Sequence, residues 1–160
     1  MTSTTEIFRT LTEYNHALYR KVWESIQSLS DEQFVQEINY SRGSIRDQMV
    51  HVAAAETRWL YGLKGDPSAR SYQLNPADYP TRERAQALWE SVARELEEHV
   101  AALDDESLER TLPGMRGPAW QVLAHLVNHG IDHRAQVLRA LHDFGAPTFD
   151  QDLVRYLWRR

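Results

Sequence analysis

Apolar residues recur at intervals of three and four positions along most of the chain, which places them on one face of an α-helix. The pattern predicts four long helices, over about residues 5–28, 44–65, 81–103 and 118–144, and two short ones within residues 30–38 and 150–158. No stretch shows the alternation of apolar and polar residues that is typical of a strand. The chain has the length of one domain, which we place over residues 1–160. The predicted fold is therefore all-α, a four-helix bundle with a short C-terminal helix.

Residue types near the predicted helix ends support these bounds. Ser30 and Gln33 have the spacing of a capping box at the start of a short helix. Pro118 and Gly145 stand at the start and just past the end of the fourth long helix, where proline and glycine are most common. Residues 64–80 contain three prolines and have no clean period. A connection of this length suits a crossover along a bundle better than a tight hairpin.

Composition and charge exclude several classes of function. The chain has no cysteine, so any metal must be held by nitrogen and oxygen ligands. The formal net charge is −5 and basic residues are dispersed among acidic ones, which argues against nucleic acid as a partner. No apolar run approaches the roughly 18 residues that a membrane span needs, and the N-terminus lacks an apolar signal segment. We therefore expect a cytoplasmic protein with no membrane partner.

The fourth long helix carries three histidines at intervals of four residues, His125, His129 and His133. Positions four apart on a helix drift by only about 40°, so the three form one slanting column. The apolar arc of the helix places His133 beside the core, His129 at the edge of the core and His125 further round. The column therefore follows the border of the core, where ligands can be held firmly and still be reached from solvent.

Histidines four apart form a common helical metal chelate, but a pair is seldom enough for tight binding. Among the remaining histidines, His51 is the best third ligand, because it lies in the second long helix next to small residues that permit close helix packing. Three ligands would leave a coordination position open, as in a catalytic site. The spacing alone is weak evidence, because histidines on helix surfaces are frequently solvated or bonded to a neighbour. Gly130, which costs about 1 kcal/mol within a helix, indicates a close approach there, either of a ligand or of a packed helix.

Two segments resemble the DinB-like proteins, and the resemblance extends over essentially the whole chain. The segment WQVLAHLVNHGIDHRAQVLRALHDFGAPTFDQDLVRYL contains the family's pattern of three histidines followed by arginine and glutamine, and GSIRDQMVHVAAAETRWL contains its histidine followed by an acidic residue and a tryptophan. The resemblance implies an up-down-down-up bundle, often dimeric, that binds a divalent metal. Matched to this sequence, the implied ligands are His51, His129 and His133. His125 is then a companion rather than a ligand.

The resemblance also implies a range of chemistry. Some DinB-like proteins are transferases or isomerases that use a low-molecular-weight thiol, with the metal activating the thiolate, and many others have no assigned reaction. A metal held by three neutral imidazoles can acidify either a thiol or a water molecule. The leading interpretation is thus a metal-dependent transferase or hydrolase acting on a small molecule, as a homodimer, with zinc or nickel as the expected metal. The alternatives are a non-catalytic metal-binding module and a dimeric stress-response protein whose histidines are vestigial.

Four further polar residues have candidate supporting roles. Glu56 and Arg134 fall within the apolar arcs of their helices, and a buried charge is costly unless it is paired. Each is therefore expected to have a specific partner, either the other or a third residue, unless both side chains reach water from a helix edge. Asn128 and Gln136 are candidates to orient the ligand imidazoles, with solvated polar residues as the alternative.

Overall fold

The computed structural model describes residues 2–158, and its regular secondary structure in that range is helical, with no strand. Those residues contain four long α-helices and three short ones. Their bounds are α1 Thr4–Ile26, α2 Asp31–Val35, α3 Ile45–Leu63, α4 Arg82–Ala102, α5 Asp105–Glu109, α6 Ala119–Asp143 and α7 Leu153–Leu157. The predicted helical bundle is confirmed.

Polar side chains define where these helices begin. The predicted capping box at Ser30 and Gln33 is present at the start of α2, and equivalent boxes begin α1 and α3. These reciprocal hydrogen bonds satisfy backbone N–H groups that would otherwise lack partners in the first helical turn. Pro118 precedes α6 as its N-cap, and Gly145 follows α6 in the left-handed region with a φ of 75°.

The connections are more ordered than their sequences indicate. Residues 64–80 contain two 3-10 turns, Pro67–Arg70 and Pro76–Asp78, and both turns pack on α3. The stretch 106–118, which has no clear period, begins within a further short helix, α5, and α5 contacts α6. Helices of a single turn contain too few residues to establish a period, and these three, unlike α2 and α7, were not predicted from the sequence.

The four long helices form a ring in which each packs on two neighbours. Helix α3 lies between α4 and α6, and α1 closes the ring by contacting both of them. Buried apolar residues fill the interior in two clusters, one around Trp23 and Trp89 and the other around Leu60 and Leu123. Within residues 2–158, every helix is too short or too polar to span a membrane.

Candidate metal centre

Helices α3 and α6 bring three histidines together. His51 on α3 and His129 and His133 on α6 each present a ring nitrogen, and the three nitrogens lie within 4.8 Å of one another. The Nε2 atoms of His51 and His129 are 3.3 Å apart. Two nitrogens bound at about 2.0–2.1 Å to one tetrahedral ion are separated by about 3.4 Å, so the spacing fits a shared ion. The residues present are therefore suited to a divalent metal.

The position of the triad matches the predicted border of the core. His133 is buried, with 9% of its surface exposed, while His51 and His129 are half-buried. The polar groups thus face a partly enclosed space rather than bulk water. His125 is exposed and packs its ring on Trp59 and on His129, at centroid distances of 5.2 and 5.6 Å, and it is not among the three converging residues.

Gln48, one turn before His51 on α3, fixes the orientation of His133. The Gln48 Oε1 atom lies 2.6 Å from His133 Nδ1, so Nδ1–H donates to the amide oxygen and Nε2 is left as the nitrogen available to an ion. Gln48 is itself held, because its Nε2 donates to Gln136 Oε1 at 2.8 Å and to the Ser41 hydroxyl. Gln136 therefore supports the ligand indirectly, while Asn128 is exposed to solvent.

Sequence reasoning missed Gln48 because a single amide has no distinctive motif. The available signal was its spacing, since a residue three positions before His51 lies on the same face of α3.

Burial keeps the imidazoles in the neutral form that binds metals. Burial, together with the nearby Arg42, His133 and Arg58, lowers the pKa of His51 to about 4. Burial and the neighbouring imidazoles lower the pKa of His129 to about 3. The pKa of His133 is lowered as well, chiefly by burial. At neutral pH all three rings therefore have a free lone pair.

A cavity of about 390 Å³ opens beside His51. One wall is the exposed side of α3 from Asp47 to Arg58, and Arg42 lies at the end of the preceding loop. The opposite wall is formed by Tyr72, Gln73, Leu74 and Pro76 of the connection between α3 and α4. The long connection thus encloses a space of the size that small-molecule sites occupy.

Gly130 is explained by a close approach of α1. A Cβ atom at Gly130 would lie 2.4 Å from Asn15 Oδ1, and the Gly130 carbonyl accepts a hydrogen bond from the Tyr19 hydroxyl at 2.9 Å. Asn15 Oδ1 in turn accepts from Arg134 Nη1 at 2.6 Å. Of the two expected causes of the glycine, helix packing is the one that the structure supports.

The two charges that the sequence placed in apolar arcs are both buried, Glu56 at 2% and Arg134 at 0% exposed. Each has a specific partner, but the partners are not each other. Glu56 lies 3.3 Å from His16 Nε2 on α1, and Arg134 is bonded to Asn15 and to the Gln151 side chain. The alternative, in which both side chains reach water from a helix edge, is wrong.

His16 connects three helices. Its ring is fully buried, with Nε2 facing Glu56 of α3 and Nδ1 only 2.9 Å from Glu97 of α4. Burial alone would lower the pKa of His16, but the two carboxylates outweigh burial and raise it to about 9. The protonated ring therefore bridges two acids inside the bundle.

Comparison with known proteins gives a family. A search of curated proteins finds no match to the chain. The family model described as "DinB family" matches residues 1–160, the whole chain. The helical bundle, the three converging histidines and this match agree, and the chain belongs to the DinB family.

Proposed function

We propose that His51, His129 and His133 bind one divalent metal ion, and that the protein is a metal-dependent transferase or hydrolase of a small molecule. The observation that carries the proposal is the convergence of three neutral ring nitrogens from two helices, with His51 and His129 at the spacing of ligands on a common ion. Zinc or nickel is the expected metal, because imidazole ligands suit both.

Two features favour catalysis over a purely structural metal. Among the described residues the cluster contains three possible ligands, which leaves at least one coordination position for a thiol, a water molecule or a substrate. The cavity that His51 lines has room for a small molecule next to one of the three ligands. A bound divalent ion would supply a positive charge that lowers the pKa of such a thiol or water.

The protein's own residues would prepare this position. Gln48 holds His133 in one tautomer, and partial burial of His51 and His129 keeps both rings deprotonated. Residues of the connection between α3 and α4 line the cavity beside His51. A low-molecular-weight thiol is the proposed co-substrate of a transferase, and water that of a hydrolase.

Elemental analysis of the untagged protein tests the metal site. We expect about one divalent ion per chain in the wild type and none in His129→Ala. His142→Ala is the matched control, because His142 is an exposed histidine near the end of the same helix and lies outside the cluster. Failure to bind zinc, nickel or manganese in the wild type would refute the proposal.

We also propose that the chain forms a homodimer. Three apolar side chains at the C-terminal end remain exposed, Val154 at 40%, Leu157 at 39% and Trp158 at 81%. Their spacing of three and four residues places them on one side of α7, where they can pack against a second copy. Light scattering should give twice the mass of the chain for the wild type and a lower mass for Trp158→Ser. A single-chain mass in the wild type would exclude the dimer.

A further inference from the structure

Two arginines lie beside the histidine triad without a carboxylate partner. Arg42 and Arg58 both line the cavity next to His51, both are exposed, and neither takes part in an ion pair within residues 2–158. Arg58 rests over the ring of Trp59, with its guanidinium carbon 5.5 Å from the ring centroid.

The acid that lines the same cavity does not neutralise them. Asp47 Oδ1 accepts from Arg46 at 2.9 and 3.0 Å, and Asp47 Oδ2 accepts from the backbone N–H of Ser44 at 3.0 Å. One carboxylate oxygen is therefore engaged in the cap of α3 and the other in the ion pair with Arg46. The cavity as a whole has an excess of positive charge, although the chain has a net charge of −5.

We propose that Arg42 and Arg58 form an anion-binding subsite, and that the molecule acted on at the triad carries an anionic oxygen group such as a carboxylate. Guanidinium groups pair with such oxygens through charge-assisted hydrogen bonds. The apolar side chains of Val50 and Leu74 in the same cavity would contact the carbon skeleton between the anionic group and the reacting atom. This inference rests on the proposed function, since the triad supplies the reacting end of the site.

The test compares two thiols of equal chain length, one ending in a carboxylate and the other in a neutral hydroxyl group. Mercaptopropionate and its neutral counterpart mercaptopropanol are titrated into the cobalt(II)-loaded protein, and thiolate binding is followed by the visible absorption of the ion. We expect mercaptopropionate to bind about tenfold more tightly, because charge-assisted hydrogen bonds contribute more than neutral ones. Arg42→Gln and Arg58→Gln should each reduce this preference about threefold or more, because each variant should weaken mercaptopropionate more than mercaptopropanol.

Arg94→Gln is the matched control, because Arg94 is exposed on α4, away from the cavity, and its loss changes the net charge equally. This variant should retain the full preference. Equal affinities for the two thiols in the wild type, or an equal loss in all three variants, would overturn the subsite.

The two proposals can fail separately. If cobalt binds but neither thiol changes its spectrum, thiol chemistry at the triad is refuted. The subsite is then decided by calorimetric titration of the same loaded protein with glutarate. Binding that weakens in Arg42→Gln and Arg58→Gln but not in Arg94→Gln supports the subsite, and absence of binding refutes it.

Discussion

At the scale of single residues, the candidate centre depends on an amide that is not itself a ligand. Gln48 accepts from His133 Nδ1 at 2.6 Å and is braced by Gln136. Gln48→Leu should weaken metal affinity about 10–100-fold, because the loss of such an outer hydrogen bond frees the ligand ring to rotate and change tautomer. Competition with a chromophoric chelator measures the affinity.

Gln48→Glu is the matched comparison, since it keeps both the size of the side chain and an acceptor for His133. This variant should retain most of the affinity that Gln48→Leu loses. Equal affinities in the wild type and Gln48→Leu would show that packing alone orients the ring.

Gly130 makes a second prediction at this scale. Gly130→Ala should lower the free energy of unfolding by about 2 kcal/mol, since the new Cβ displaces the buried Asn15 side chain from Arg134 and this cost exceeds the gain of about 1 kcal/mol in helix propensity. Urea denaturation measures the change.

Gly62→Ala is the control, because there the Cβ meets the flexible end of Met115 at 3.0 Å rather than a hydrogen-bonded amide. We expect a change within about 1 kcal/mol of zero, since the gain in helix propensity offsets a small shift of the methionine. If Gly130→Ala has the same free energy of unfolding as the wild type, the Asn15 side chain has room to move.

At the scale of secondary-structure elements, the sequence predicted the long helices well and their contacts poorly. Periodic apolar residues determine the bounds of α1, α3, α4 and α6 to within two residues at each end. The same periodicity says nothing about which faces meet. His16 illustrates the limit, because its two acidic partners lie 40 and 81 positions away and only the packing of α1 on α3 and α4 brings them together.

This three-helix contact makes stability depend on pH. The folded-state pKa of His16 is raised to about 9 from an ordinary value of 6.5. A raised pKa contributes stability that is fully present below pH 6.5 and is lost as the pH rises through about 9. The free energy of unfolding should therefore fall between these values, as measured by urea denaturation at a series of pH values.

His16→Gln should be less stable at pH 6 and should show a flatter profile from pH 6.5 to 9. Glu56→Gln should flatten the profile in part, since Glu97 still faces the ring. If the wild type shows the same flat profile as His16→Gln, the His16 ring is neutral in the folded protein.

At the scale of the whole molecule, the candidate metal ligands join two helices that are far apart in sequence. The spacing of His129 and His133 was visible in the sequence as a chelate, and His51 was selected from its position beside small residues and from the family resemblance. The cavity was not predictable, because its outer wall comes from the connection of residues 64–80, whose irregular sequence gives no indication of what it covers.

A metal that links α3 to α6 should stabilise the entire bundle. Consider an ion that binds only the folded state and whose free concentration is about 1,000 times its dissociation constant. Such an ion adds about 4 kcal/mol to the free energy of unfolding. We therefore expect zinc or nickel to raise the melting temperature of the wild type by several degrees, and a chelator to reverse the effect.

His51→Ala and His129→Ala should lose this response equally, although the two residues lie on different helices. Removing either ligand ends the link that the metal makes between α3 and α6. His125→Ala should retain the response, since its ring packs on Trp59 outside the converging triad. A response lost in His125→Ala but kept in His51→Ala would mean that the ion binds along α6 alone, and the site between helices would be wrong.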